Sequence, residues 1–282
     1  MESPGSKRRA KRDENVSNLS SWEQLPDDQA LVHTIDHTFL PSPFFNQPAE
    51  DVLNSMDVIC MSLIDTKQIK AARSFAKANF LKTDDPDEYL KAYDCSFPYV
   101  FYEVGFIVEV PPENILGTFP EDVGFPNHTG TARVINGPPQ RSDGYKLADE
   151  INTGEAIVGW PDVEGGYDSI STPSDILANT EIQPCGRWNE IQVVGKENIA
   201  LHADGAFSKK LKIKKIVCLP KLYNEAYAIA IEEYLTHGFD DDFMKGVRMK
   251  TYMADKLRHE ALEAAANKLS ALNPGIPIEW IE

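Results

Sequence analysis

The chain has 282 residues, of which 42% are hydrophobic and 10% aromatic, and this composition supplies enough apolar surface for a packed core. Its formal net charge of -16 disfavours binding to a nucleic-acid backbone, because an acidic surface repels a polyanion. No run approaches the about 20 apolar residues that a membrane span needs. The sequence therefore predicts a globular protein without membrane spans, for which nucleic acid is not the expected partner.

The first residues of the chain are polar and basic. Five basic residues lie from Lys7 to Arg12, and no apolar stretch follows, so no secretory signal peptide is predicted. The cluster indicates either a nuclear-import or anion-binding arm or a disordered solubilising tail. We expect a cytoplasmic or nuclear protein whose residues 1–29 form a disordered basic tail.

The cysteines are widely spaced. They form no CxxC pair and no regular pattern, which argues against both a zinc ribbon and a disulfide framework: Cys60, Cys95, Cys185 and Cys218. A reducing compartment is the simpler interpretation.

Strand signals alternate with helical ones through the first part of the chain. A first element is predicted at Ala30–Ile35 and a second strand at Asp57–Leu63, and residues 66–80 then show apolar positions at helical spacing. The strongest strand signal is Tyr99–Val110, within which Gly105 marks a bulge or a break.

The remaining elements follow a long segment rich in turn-forming residues. Residues 119–173 are dominated by Gly, Pro, Asn and Asp, which is typical of a binding segment or of disorder. A strand headed by Glu190 follows, and then a half-exposed strand at Leu211–Leu219. Helical spacing begins at Leu222 and ends near residue 272. We predict an α+β domain over 30–220, with a mixed or antiparallel sheet and flanking helices, and a helical C-terminal region over 221–282.

The order of these parts resembles the ADP-ribosyltransferase toxin family. A His-bearing first strand is followed by a strand that contains Ser62 and leads into a helix, and a late strand opens with Glu190. The resemblance implies that His33 holds the nucleotide, that Ser62 braces the site and that Glu190 acts on the nicotinamide ribose. It also implies NAD as the substrate and transfer of ADP-ribose to a macromolecular acceptor, expected to be a protein, or to water.

The chemistry of that reaction suits a carboxyl group. Cleavage of the nicotinamide glycosidic bond develops oxocarbenium character at the ribose, and a carboxylate near it stabilises the transition state more than the ground state. Trp188, two residues before Glu190, is a candidate to stack on an aromatic ring, with a core aromatic as the alternative.

Three further side chains are candidates for NAD binding. Arg133 and Arg141 have the guanidinium geometry that matches a diphosphate, although solvated loop charges are the alternative. His128 lies in the turn-rich run Gly124–Gly130, which indicates either a ligand-binding loop or an ordinary surface turn. His33 and His37 with Asp36 could in principle share one helical face and bind a metal, but Pro41 follows closely and there is no clear third ligand, so no metal site is predicted.

A second function class stays open. The same strands could form a non-catalytic α+β scaffold of an interaction or structural protein, including a virion or assembly protein, in which the helical region from Leu222 binds a partner. The enzyme requires Glu190, Ser62 and His33 to converge on one cleft, whereas the scaffold does not. The oligomeric state is left open by the sequence.

Overall fold

The structure is a computed structural model that describes residues 16–37, 40–56, 58–71, 74, 100, 102–119, 170–179, 189–199, 201–202, 206–220 and 261–281. These residues form a seven-stranded mixed sheet with several helices, which confirms the α+β class expected from the sequence. Within the described ranges, no helix combines the length and the apolar character that crossing a bilayer requires.

The sheet is built outward from its first strand. Its members in chain order are β1 (Gln29–Ile35), β2 (Val58–Asp65), β3 (Val104–Glu109), β4 (Ile115–Phe119), β5 (Glu190–Val194), β6 (Lys212–Cys218) and β7 (Ile278–Trp280). In space they run β4-β5-β2-β1-β3-β6-β7. Neighbours are antiparallel except β6 and β7, which are parallel. β1 therefore lies at the centre.

One face of the sheet carries most of the hydrophobic core. Because successive side chains in a strand point to opposite faces, Leu31, Met61, Phe106 and Ile191 share this core face. They pack in one cluster with residues of the 3-10 helix Pro43–Phe45, the helix Ala49–Ser55 and the helical residues 261–272.

The opposite face is more mixed. A smaller apolar cluster there includes Val32, Ile64 and Val217. Strand alternation places Ser62, Cys60, Glu190 and Gln192 on the same side as these residues, and we call these four residues the polar face.

Gly105 is neither a bulge nor a break. It pairs regularly with Thr34 and Val217, and the register shift between β3 and β6 falls at Ile107/Val108 instead. A Cβ at Gly105 would lie 2.4 Å from the backbone oxygen of His33, so close approach of the neighbouring strand explains the glycine.

The structure differs from the sequence-based expectation at both ends of the described chain. Residues 16–22 of the expected disordered tail form a 3-10 helix that buries Leu19 and Trp22. The Trp22 Nε1–H donates to the Ser171 backbone oxygen at 3.0 Å, which ties this segment to the body of the domain. At the other end, the short strand β7 follows the predicted C-terminal helix. It pairs with β6 over Ile216–Cys218 and forms the last strand of the sheet.

Candidate functional site

The pairing between β1 and β2 ends before the two strands do. We call the place where it ends, next to Val32 and Ser62, the seam. The two strands pair from Gln29/Asp65 to Val32/Ser62, and β1 then pairs with β3 alone among the described strands. Beyond that point, His33 Nδ1–H donates to the backbone oxygen of Cys60 at 2.9 Å. A side chain thus satisfies a strand carbonyl that a backbone N–H would otherwise satisfy.

Asn189 fixes the start of the neighbouring strand on the other side of β2. Its Oδ1 accepts from the Leu63 backbone N–H at 2.6 Å, and its Nδ2 donates to the Leu63 backbone oxygen at 2.8 Å. The side chain is fully buried. It therefore continues the β2–β5 ladder by one pair and sets the position of Glu190, the next residue.

Glu190 is buried, and two donors among the described residues contact it. Its residue is 3% exposed, and its Oε1 accepts from Gln192 Nε2 at 2.6 Å and from the Cys60 thiol at 3.1 Å. Cys60 pairs directly with Gln192 across β2 and β5, so the same register places Ser62 opposite Glu190. The structure thus brings Glu190 and Ser62 together on one face.

The polar face becomes more exposed toward the seam. Gln192 is 0% exposed and Ser62 is 9% exposed, whereas Cys60 and Thr34 are both half-buried. The partly exposed residues of this side of the sheet therefore lie where the pairing of β1 with β2 ends.

The remaining nearby candidate, His33, lies on the other side. It pairs with Phe106, and its ring lies 5.4 Å from the Phe44 ring on the core face. Burial lowers the pKa of His33, and the bond to the Cys60 oxygen opposes that shift only in part. His33 therefore does not converge with Glu190 and Ser62 on one cleft, as the enzyme was expected to require. It reaches the site only through the Cys60 backbone and contributes no positive charge at neutral pH.

Two residues of the site were missed by sequence reasoning. Gln192 and Cys60 gave no motif, and only their shared register with Glu190 reveals them. A polar Gln inside the otherwise apolar run of β5 was the one available signal.

Four sequence candidates for the site lie outside the described residues: His128, Arg133, Arg141 and Trp188.

In the part of the chain that the structure describes, no three His, Cys, Asp or Glu side chains gather as metal ligands. Burial raises the pKa of the Cys218 thiol to about 12, so this thiol stays protonated at neutral pH.

The basic residues around β6 form ion pairs. Each of four lysines contacts a carboxylate: Lys209 with Glu113, Lys210 with Glu50, Lys214 with Glu109 and Lys215 with Glu279. These pairs offset part of the positive charge around the strand.

Comparisons with protein-family models, with curated proteins and with solved structures find no match to this chain. The polar face itself therefore carries the functional inference.

Proposed function

We propose that this protein cleaves the bond between nicotinamide and ribose in NAD and transfers ADP-ribose to a protein acceptor or to water. Glu190 is the catalytic residue in this proposal. The observation that supports it is the carboxyl group held by Cys60 and Gln192, with Ser62 on the same face of the adjacent strand. A fixed carboxyl group is what the transition state of this reaction requires.

The reaction follows from charge development at the ribose. The C1′–N bond breaks with its electron pair moving to the nicotinamide ring, which becomes neutral, while positive character spreads over C1′ and the ring oxygen. Glu190 accepts a hydrogen bond from a ribose hydroxyl and stabilises that charge. The acceptor's nucleophilic atom then bonds to C1′ and its proton passes to solvent.

Two of the other residues, Ser62 and His33, act by positioning. Ser62 supplies a hydroxyl donor opposite Glu190, and His33 holds the Cys60 backbone from the core face. Arg133 and Arg141 remain proposed contacts of the diphosphate. Trp188 and His128 remain proposed contacts of the aromatic rings of NAD.

The biological setting is part of the same proposal. A cytoplasmic or nuclear effector of toxin type would find both NAD and protein acceptors in its compartment. The acidic net charge of -16 favours an acceptor with a basic surface.

The test is nicotinamide release from NAD by the parent protein and by Glu190→Gln, which keeps the side-chain shape and removes the carboxyl group. We expect release to fall by about 100-fold or more, a loss in the range of removing one electrostatic catalytic group. Glu109→Gln, at an exposed carboxylate paired with Lys214, is the matched control and should leave release unchanged. Equal release by the parent and Glu190→Gln contradicts the assignment of Glu190.

A second candidate function rests on the burial of Glu190. A carboxyl group that is 3% exposed and accepts two hydrogen bonds also fits a structural role in a non-catalytic interaction protein. In that case the parent binds no NAD, and Glu190→Gln changes the free energy of unfolding alone. Titration calorimetry with NAD separates the two functions.

A further inference from the structure

Gln192 is a fully buried amide whose two polar atoms differ in their bonding. Its Nε2 donates to Glu190 Oε1 at 2.6 Å. Its Oε1 is buried and has no hydrogen-bond partner among the described residues. Buried polar atoms are satisfied in the great majority of cases, so an orphan acceptor beside a buried carboxyl group calls for an explanation.

The described neighbours do not supply the missing donor. The Cys60 thiol, which faces Gln192 across the strands, already donates to Glu190. The second bonding group of Gln192, its Nε2, is also committed to Glu190. An amide oxygen only accepts hydrogen bonds, so the group that satisfies it must bring an O–H or an N–H.

We propose that Gln192 binds the second hydroxyl of a vicinal diol whose first hydroxyl is bound by Glu190. The two acceptors are joined through one hydrogen bond, so they lie side by side on one face of β5. Two hydroxyls on neighbouring carbon atoms present two hydrogen-bond donors side by side. The 2′- and 3′-hydroxyls of an unmodified ribose have this arrangement, and in the proposal Glu190 binds the 2′-hydroxyl and Gln192 the 3′-hydroxyl.

This inference rests on the proposed function for the identity of the ligand as a ribonucleotide. It adds that the site selects an intact ribose and that Gln192 determines this specificity. We place the diol's approach at the seam, because Cys60 and Thr34 there are half-buried whereas Gln192 and Glu190 are buried.

The first measurement compares two probes on the parent protein by calorimetry: NAD, and NAD that lacks the 3′-hydroxyl on its nicotinamide ribose. We expect the deoxy probe to bind about 5- to 10-fold more weakly, the loss of one neutral hydrogen bond. Equal affinity for the two probes overturns the proposal, because Oε1 then binds water only.

A variant assigns the effect to Gln192. Gln192→Met has a side chain of similar length and lacks both amide groups, so it should bind the two probes equally. Gln29→Met, at a half-buried position of β1, is the matched control and should keep the parent's preference for NAD. A folded Gln192→Met that still prefers NAD to the same degree overturns the proposal. If Gln192→Met fails to fold, the two probes on the parent decide alone.

The outcomes also separate this inference from the proposed function. Preference for the diol without nicotinamide release contradicts the transferase and leaves the diol site standing. Nicotinamide release with equal affinity for the two probes contradicts the diol site and leaves the transferase standing. A parent that binds neither NAD nor ribose 5-phosphate overturns both.

Discussion

Asn189 replaces a backbone partner for Leu63: one side-chain amide satisfies both the N–H and the C=O of that residue, at 2.6 Å and 2.8 Å. The two residues are 126 positions apart in the chain. This bond pair fixes the start of β5 against β2. It therefore determines where the neighbouring Glu190 lies.

Asn189→Ala should destabilise the protein strongly. The substitution leaves two buried backbone groups of Leu63 unsatisfied, at a cost of about 1–3 kcal/mol each. We expect a loss of about 2–5 kcal/mol in the free energy of unfolding, measured by urea denaturation. Asn46→Ala removes bonds from an exposed amide and should cost less than about 1 kcal/mol. Similar losses in the two variants would contradict the proposed role of Asn189.

Cys60 should act through Glu190 and not as a nucleophile. Cys60→Ala removes the thiol that donates to Glu190 Oε1, whereas Cys60→Ser keeps a donor at that position. We expect nicotinamide release to fall about 3- to 10-fold in Cys60→Ala, the value of one hydrogen bond, and to stay near the parent rate in Cys60→Ser. Inactivity of both variants would instead indicate that the sulfur atom itself takes part.

Two glycines should respond differently to alanine. A Cβ at Gly195 would lie 2.1 Å from the Leu53 backbone oxygen and 2.7 Å from that of Met56. Gly195→Ala must therefore displace the helix Ala49–Ser55 or the backbone at Gly195 itself. Gly275 has φ of +89° and open space around its Cα, so Gly275→Ala meets backbone strain alone, about 1–2 kcal/mol. Urea denaturation should show the larger loss for Gly195→Ala. The reverse order would show that the backbone near Leu53 yields readily.

The stability of the protein should fall as the pH decreases below about 6.5, the ordinary pKa of histidine. Burial depresses the folded-state pKa of His33, so the unfolded chain binds a proton that the folded protein does not. Stability is then complete above the unfolded pKa and is lost progressively until the folded pKa is reached. His33→Asn cannot titrate, and its free energy of unfolding should change less between pH 5 and 7. An unchanged pH profile would assign the dependence to other groups.

The strands with long apolar signals were predictable. The ends of β2 and β6 lie within two residues of the predicted segments Asp57–Leu63 and Leu211–Leu219. Alternation or continuous apolar character extends over the whole of each strand, which made them predictable. β7 was not predicted, since three residues carry no periodicity and the strand exists only through its pairing with β6.

The site was predictable only in part. Glu190 at the head of a strand could be located from local pattern, and so could Ser62 within its strand. Their common face depends on the register between β2 and β5, which joins residues about 130 positions apart. The same register brings Cys60 and Gln192 to Glu190. Local sequence carries no record of such a long-range pairing.

The position of β1 at the centre of the sheet has a consequence for synthesis on the ribosome. Each strand from β2 onward, apart from β4, has a described neighbour that has already been made, so the sheet can grow outward as the chain emerges. β4 must wait for β5, and until β5 and β6 follow, the outer edges of β2 and β3 expose unpaired backbone groups. Such edges pair readily with other chains. The interval between synthesis of β3 and of β5 is therefore the period in which nascent chains are most prone to aggregate.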